Sequence, residues 1–365
     1  MALKRSNWPS GELVVLEHES ALLADNPLGD PATRRFPVWL PPGYSGQRRA
    51  RRYPVLFDLT GYTGSGWSHT NWKNFEENVP ERLDRLVHER RLAPCIVVFP
   101  DCFTALGGNQ YINSSAIGDY ADYLTRELIG FVDGEFRTHG DREHRGCFGK
   151  SSGGYGAMIH GMRYTRYWGA VACHSGDADF ETCYRTFWPA ALTELGRYRS
   201  PPRRAGAVTV PPRDERLEAG YDDGRIEKFL DSVWQRERLS GDEIMTLMMV
   251  CMAATYDPDP QAPNGFRVPF NLETGEVIAP RWRAWKRHDP VKLVKRYAGN
   301  LKRLKALYID CGWKDQYHIH FGSRILSREL TGAGVPHTYE EFDGSHSGID
   351  YRMDRSLPLL SRALR

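Results

Sequence analysis

Long apolar segments are absent from this sequence. No run approaches the roughly 18 apolar residues that a transmembrane helix requires. The N-terminal stretch MALKRSNWPSGELVVLEHES lacks the apolar core of a secretory signal peptide. The first absence argues against a helical membrane protein, and the second argues against secretion. We therefore predict a cytoplasmic protein that has no membrane partner.

Paired cysteines and metal-ligand spacings are also lacking. The seven cysteines are scattered along the chain without a CxxC pair, which argues against a disulfide framework. A free cysteine in an apolar run commonly packs as a small hydrophobic side chain. His318 and His320 have no cysteine or carboxylate at metal-binding spacing, so we interpret them as helix histidines and predict no metal site.

Neither sign of charge is in excess. The chain carries 49 basic and 46 acidic side chains, a formal net charge of +3, and gives no reason to expect a polyanionic partner. The densest basic run, Arg48–Arg52, precedes an apolar strand that begins at Tyr53. A solvated hairpin loop explains this run better than a basic patch does, so we predict no nucleic-acid partner.

Short apolar runs alternate with amphipathic stretches along most of the chain. Glu12–Glu19 and Arg34–Leu40 show strand-like alternation of polar and apolar residues. The later strand-like runs are Tyr53–Leu59, Cys95–Pro100, Arg145–Gly149, Trp168–Cys173, Leu304–Asp310 and His337–Phe342. The helix-like segments are Glu76–Arg90, Ile117–Phe136, Ser152–Arg163, His318–Gly332 and Asp354–Leu364. Continuously apolar strands between helices predict an α/β fold with a mostly parallel central sheet and helices on both faces.

The stretch from Phe180 to Asp289 interrupts this alternation. It contains the proline-rich and charged segments 201–204 and 211–214, followed by two helix-like segments at 226–236 and 242–254 and a Trp/Arg-rich stretch at 281–287. Because the strand rhythm resumes afterwards, we interpret 180–289 as an insertion that divides the α/β core into 1–179 and 290–365.

We expect this insertion to cap an active site. It leaves the sheet after the strand Trp168–Cys173, and open α/β sheets bind ligands at the carboxyl ends of their strands. Its large apolar side chains at helical spacing are Met245, Met248, Met249, Met252, Trp282 and Trp285. We predict that Met248 and Trp285 bind substrate. Core packing or an oligomer contact is the alternative for the methionine face.

The segment Gly149–Ala157, GKSSGGYGA, joins a predicted strand to a predicted helix. This is the context of the G-x-S-x-G nucleophile elbow, in which a strained turn presents the serine hydroxyl above the sheet. A P-loop ending in Gly-Lys-Ser would require a glycine where His144 stands. We therefore predict Ser151 as the nucleophile and the Ser152 N–H as an oxyanion donor, because helix N-termini favour developing negative charge.

A second oxyanion donor is expected in the loop 59–66, LTGYTGSG, whose glycines permit close backbone approach. The Tyr62 N–H is our candidate, and a flexible turn without a catalytic role is the alternative. Trp67, which follows this loop, and Gln110 complete the predicted substrate-binding set.

A triad on this kind of fold follows the chain order serine, acid, histidine. His346 stands among small residues after the last predicted strand, where it is free to reach a serine as general base. Asp310 and Asp315 follow the preceding strand as candidate acids. We favour Asp315, which lies in the loop, over Asp310, which is still in the strand and is expected to brace that loop. The acid holds the imidazole tautomer and stabilises the imidazolium.

These residues together resemble a family of esterases. The resemblance rests on Arg34–Tyr44 (RRFPVWLPPGY), Gly118–Tyr120, Glu127–Ile129, Phe136-Arg137, GKSSGGYGA, Gly312-x-x-Asp315 and Gly344-x-His346. The family includes S-formylglutathione hydrolase (esterase D), feruloyl esterases, enterochelin-type siderophore esterases and the antigen 85 mycolyltransferases. The resemblance covers roughly residues 30–180 and 300–365, and it implies an α/β-hydrolase fold.

The resemblance also implies hydrolysis of a carboxylic ester through an acyl-enzyme, with the triad named above and no cofactor. Ser152 stands where members often carry methionine, and Thr60 stands where many hydrolases carry histidine. The long insertion leaves the substrate open, beyond a small or medium acyl ester. An acyltransferase that uses a bound alcohol and a non-catalytic binding protein are the two alternatives, and homo-oligomer formation stays open.

Overall fold

The computed structural model describes residues 8–46, 51–199 and 213–365. The predictions for Arg48–Ala50 and for the proline-rich residues 201–204 and 211–212 lie outside these ranges. The described strands are β1 (Glu12–Glu19), β2 (Thr33–Leu40), β3 (Val55–Leu59), β4 (Ile96–Val98), β5 (Asn113–Ser114), β6 (Gly118–Asp119), β7 (Arg145–Lys150), β8 (Ala170–His174), β9 (Ala306–Gly312) and β10 (Thr338–Phe342).

Eight of these strands form the central sheet, in the order β1-β2-β4-β3-β7-β8-β9-β10. β2 pairs antiparallel with β1 and with β4, and the remaining neighbours are parallel. The parallel strands β3, β4, β7, β8 and β9 consist almost entirely of buried residues. This confirms the mostly parallel central sheet expected from their continuous apolar runs.

Helices cover both faces of the sheet. The α-helices are α1 (Val79–His88), α2 (Tyr120–Asp122), α3 (Ile129–Glu135), α4 (Ser152–Arg163), α5 (Phe180–Cys183), α6 (Trp188–Leu195), α7 (Glu215–Glu218), α8 (Arg225–Val233), α9 (Gly241–Tyr256), α10 (Ala279–Lys286), α11 (Pro290–Leu301), α12 (Ile319–Gly332) and α13 (Met353–Ala363). A π-helical segment, Tyr123–Leu128, joins α2 to α3. No helix in residues 8–46, 51–199 or 213–365 is long and apolar enough to cross a membrane.

Side-chain caps fix where the helices begin. Asn78 accepts the N–H of Glu81, and the Glu81 carboxylate accepts the N–H of Asn78, so α1 starts at Val79. Ser240 and Glu243 make the same reciprocal bonds at the start of α9. Such capping boxes satisfy backbone donors that have no acceptor within the helix.

The insertion shares the hydrophobic core of the sheet. Met249 and Met252 of α9 are buried in the same cluster as Phe57 of β3 and Cys147 of β7. The Ser114 hydroxyl donates to the carbonyl of Ala254, 2.5 Å away, and so ties α9 to the short hairpin formed by β5 and β6. Through α9, the described part of the insertion therefore packs as part of the α/β unit.

Candidate active site

Ser151 occupies a sharp turn between β7 and α4. Its backbone has φ 58° and ψ −126°, a conformation that costs free energy for any residue with a side chain. The Ser151 N–H donates to the His174 carbonyl at 3.0 Å, which holds the turn against β8. A Cβ atom on Gly153 would collide with the Leu59 carbonyl. The elbow glycine is therefore required by the close approach of β3.

His346 and Asp315 form a hydrogen-bonded pair near the carboxyl ends of β9 and β10. His346 Nδ1 lies 2.7 Å from Asp315 Oδ2, and the Tyr317 N–H donates to Asp315 Oδ1 at 2.9 Å. Burial alone would raise the pKa of Asp315, but the bond and charge of His346 outweigh it and lower that pKa. The carboxylate is thus ionised and orients the imidazole so that Nε2 is free to accept a proton.

Ser151 and His346 line one cavity of about 260 Å³. The loop after β3 lies directly over the serine, because a Cβ on Gly61 would sit 3.4 Å from Ser151 Cβ. Tyr62 also lines this cavity. The structure therefore brings the predicted nucleophile, base and oxyanion loop to one place.

Hydrogen bonds to Leu106 and Tyr111 hold the loop 59–66, in which the second oxyanion donor was predicted. The Tyr62 hydroxyl donates to the Leu106 carbonyl at 2.5 Å, and the Tyr111 hydroxyl donates to the Thr60 carbonyl at 2.7 Å. Ser152 is the first residue of α4, where backbone N–H groups have no acceptor within the helix. This geometry favours a preorganised loop over the flexible turn that the sequence left open.

The structure places Asp310 in a different network. His174 Nδ1 lies 2.7 Å from Asp310 Oδ1, and His174 Nε2 lies 2.8 Å from Ser356 Oγ. Tyr308 and Arg352 donate to the other Asp310 oxygen at 2.8 and 2.9 Å. Asp310, His174 and Ser356 are buried and do not line the active-site cavity. This buried Ser-His-Asp arrangement braces α13 against β8 and β9.

This buried network was not predicted, because it depends on which strands are neighbours in the sheet. His174 and Asp310 are paired residues of neighbouring strands, and side chains at paired positions point to the same face of a sheet. The strand register was therefore the information needed.

The four predicted substrate-binding residues are placed differently. Met248 lines the cavity, together with Ile244 and Met245 of α9. Trp285 is fully buried and packs edge-on against Tyr184, a lining residue, at a ring distance of 5.9 Å. Trp67 and Gln110 are absent from the lining. The indole of Trp67 donates to the Arg35 carbonyl, and Gln110 is buried beside Ser152.

Several polar residues of the cavity were not predicted. They are His69, Lys150, Asp177, Tyr184 and Tyr317. His69 Nδ1 lies 2.7 Å from Asp58 Oδ2. Burial opposes protonation of His69, but Asp58 outweighs it and raises the pKa of His69. The rule applied to the insertion, that ligands bind at the carboxyl ends of the strands, could have identified Asp177, because Asp177 follows β8 at that edge of the sheet.

Within the described ranges, no group of three or more His, Cys, Asp or Glu side chains is arranged to hold a metal ion. Of the two histidines interpreted as helix residues, His320 lies in α12. His318 immediately precedes the helix in a left-handed conformation, with φ 61°. The seven cysteines are all buried free thiols.

Comparisons with known proteins agree with the fold. An esterase of Mycobacterium tuberculosis is 28% identical over 150 residues, which is 39% of this chain and only 28% of that protein. The structural alignment with a solved ferulic acid esterase covers 98% of this chain and 100% of that enzyme's chain, with a TM-score of 0.60 and 19% sequence identity. The S-formylglutathione hydrolase of Agrobacterium tumefaciens covers 100% of this chain and 99% of its own, with a TM-score of 0.56 and 17% identity.

These structural neighbours confirm the α/β-hydrolase fold that the sequence implied. The sequence profile of the family described as "Putative esterase" matches residues 31–354. That range contains Ser151, Asp315 and His346, together with the whole insertion. Because the match extends over most of the chain, this protein belongs to that esterase family.

Proposed function

We propose that this protein is a serine carboxylic-ester hydrolase that acts through an acyl-enzyme. The observation that carries the proposal is that a strained serine and a His-Asp pair open onto one cavity beneath a fixed loop. In this proposal Ser151 is the nucleophile, His346 the general base and Asp315 the acid that orients it.

The reaction begins when Ser151 Oγ attacks the ester carbonyl and its proton passes to His346 Nε2. Asp315 stabilises the resulting imidazolium without taking the proton. The N–H groups of Tyr62 and Ser152 donate to the oxyanion of the tetrahedral intermediate. His346 then returns the proton to the departing alcohol. Water, activated by His346, attacks the acyl-enzyme and releases the acid.

The cavity favours a small or medium acyl ester. Ile244, Met245 and Met248 give it an apolar wall, and methionine side chains adapt to irregular apolar groups. In this proposal the insertion acts as a cap through α9. It excludes water from the acyl-enzyme and selects substrates by the shape of this wall.

The decisive experiment is chemical labelling combined with a substrate panel. A fluorophosphonate probe is expected to modify Ser151 in the native protein and to leave Ser151→Ala unlabelled. Ser356→Ala is the matched control, because Ser356 also contacts a histidine but lies in the core. A panel of acyl esters, thioesters and lactones is then offered with and without an alcohol acceptor, and mass spectrometry is used to look for an acyl group on Ser151. Transfer of the acyl group to the alcohol would indicate the acyltransferase alternative. Full activity of Ser151→Ala, or labelling at Ser356, would reject the proposal.

A further inference from the structure

Asp177 is a carboxylate that the proposed reaction does not use. It follows β8, is only 6% exposed, and lines the same cavity as Ser151 and His346. In the ranges that the structure describes, no Lys, Arg or His side chain forms an ion pair with it. A buried carboxylate without a cation carries a free-energy cost unless hydrogen bonds compensate for it.

Two neutral donors hold one of the Asp177 oxygens. The Tyr184 hydroxyl donates to Oδ2 at 2.7 Å, and Gln110 Nε2 lies 3.3 Å from the same oxygen. The Tyr184 hydroxyl lies 3.2 Å from the hydroxyl of Tyr256, which extends the network into the core. Oδ1 has no donor among the described residues. The hydrogen bonds to Oδ2 thus orient the carboxylate, and Oδ1 is left as a free acceptor that faces the cavity.

The charges around the cavity decide which donor fits this acceptor. Lys150 and His69, whose pKa is raised by Asp58, both line the cavity, and Lys150 has no carboxylate within ion-pair distance in the described part of the chain. His346 also acquires positive charge during the proposed reaction. A substrate ammonium would meet like charges here, whereas a neutral hydroxyl would not. Burial raises the pKa of Asp177, and nearby Tyr184 and His346 offset only part of that effect.

We infer that Asp177 is a specificity-determining residue that accepts a hydrogen bond from a hydroxyl group of the substrate. The inference rests on the proposed ester hydrolysis, and it narrows the substrate class to hydroxylated esters. The apolar wall of Ile244, Met245 and Met248 contacts the body of the substrate, and Asp177 receives its hydroxyl.

Gln110 connects this acceptor to the oxyanion site. Its Nε2 lies 2.7 Å from Ser152 Oγ as well as 3.3 Å from Asp177 Oδ2. The backbone N–H of Ser152 is the proposed oxyanion donor. A hydroxyl bound at Asp177 is therefore linked through Gln110 to the side chain of Ser152, the residue whose backbone N–H is the proposed oxyanion donor. Gln110 acts as a positioning residue, so recognition of the hydroxyl is expected to raise kcat as well as to lower KM.

The test compares matched esters in each variant. Methyl phenylpropanoates that carry a ring hydroxyl, hydrogen, methoxy or aminomethyl group probe the acyl side, and benzyl acetates with the same substituents probe the alcohol side. The measured quantity is the ratio of kcat/KM for the hydroxylated ester to that for its unsubstituted parent. Because it is a ratio within one variant, a general loss of activity cancels.

We expect the wild type to favour a hydroxylated ester by about 10- to 100-fold on one side of the ester, the range typical of a buried hydrogen bond. In Asp177→Asn that ratio should fall to near one. Asp222→Asn is the matched control: Asp222 is also 6% exposed, but it binds the N–H groups at the start of α8, outside the cavity. It should keep the wild-type ratio.

An equal rate for the hydroxylated and unsubstituted esters in the wild type would overturn the inference, as would an unchanged ratio in Asp177→Asn. A preference for the aminomethyl ester that disappears in Asp177→Asn would replace hydroxyl recognition with cation recognition.

If Asp177→Asn does not fold, Tyr184→Phe provides the test, since it removes only the hydroxyl that orients Asp177. A three- to tenfold fall in the ratio supports the inference, and no change rejects it. Failure to hydrolyse any ester, with Ser151 unlabelled, would instead reject the proposed function.

Discussion

His346 Nδ1 lies 2.7 Å from an oxygen of Asp315 whose carboxylate is wholly enclosed by protein. A carboxylate in this position fixes which imidazole nitrogen carries the proton, and in the proposed triad the pair acts as a unit with Ser151. We expect His346→Ala to lower kcat by a factor on the order of 10⁴ or more, close to the loss in Ser151→Ala. Single-turnover kinetics and thermal unfolding of both variants check this. A loss that follows unfolding alone would contradict it.

The two neighbouring aspartates are expected to separate activity from stability. Asp315→Asn should reduce kcat by about 10⁴-fold, because the amide favours the wrong imidazole tautomer, with little change in the free energy of unfolding. Asp310→Asn should lower that free energy by about 3 kcal/mol, because it weakens a buried pair with Arg352. Denaturant unfolding and kcat should be measured for both. If Asp310→Asn lost activity while remaining as stable as the wild type, the acid would be Asp310.

The two faces of α9 are expected to respond differently to truncation. Met248→Ala, in the cavity wall, should change transition-state binding by about 1–3 kcal/mol, and by more for larger acyl groups. Met252→Ala, on the buried face, should cost about 2–5 kcal/mol of stability and leave the order of substrate preference unchanged. The measurement is kcat/KM over esters of increasing acyl size. An equal effect of Met248→Ala on every ester would remove the cap from the proposal.

Acid should weaken the link between α1 and α13. Arg82 and Arg85 bind Asp354 at 2.5 and 2.9 Å. Burial alone would raise the pKa of Asp354, but these arginines outweigh it and lower that pKa below its ordinary value of 3.8. The native state then binds fewer protons than the unfolded state. This stabilisation is fully present above pH 3.8 and is lost as the pH falls through the lower native pKa.

Asp354→Asn should therefore be less stable than the wild type at neutral pH and should lose less stability below pH 3.8. Asp343→Asn is the control, because Asp343 forms an exposed ion pair with Lys314. Urea unfolding at a series of pH values measures both. Parallel pH curves for the wild type and Asp354→Asn would show that this prediction is wrong.

Two glycines should respond in opposite ways to alanine. Gly153→Ala would push its methyl group into the Leu59 carbonyl and should destabilise the elbow severely. Gly130→Ala, on the exposed side of α3 with open space around it, should stabilise the protein by about 0.5–1 kcal/mol, because alanine restricts the unfolded chain and favours helix. Thermal unfolding of the two variants provides the comparison. A tolerated Gly153→Ala would argue against tight packing of β3 on the elbow.

Features that depend only on neighbouring residues could be predicted from the sequence. The glycines around Ser151 predicted the strand-turn-helix elbow, and the continuous apolar runs predicted the parallel strands. Ends of elements were less accurate: the segment predicted at Ile117–Phe136 is helical only from Tyr120, because Gly118 and Asp119 pair with β5 as a short strand. The periodicity of apolar residues does not show which residues pair in such a short hairpin, so this strand could not be predicted.

The distinction between lining and core residues required the packed structure. Helical spacing grouped Met248 with Met249, but only the position of α9 shows that Met248 lines the cavity and Met249 faces the core. Trp285 was predicted to bind substrate on the same grounds, but in the structure it packs between Tyr184 and Tyr256. Composition indicates that a side chain prefers an apolar environment, and it does not indicate whether protein or ligand supplies that environment.

The two faces of α9 constrain how this protein could adapt to new substrates. One face forms a wall of the cavity and the other belongs to the core that contains β3 and β7. A hinge motion of the wall would open that core and sacrifice its packing. New acyl specificity should therefore arise by exchanging individual side chains such as Met245 and Met248, within a frame that keeps its shape whether or not a substrate is bound.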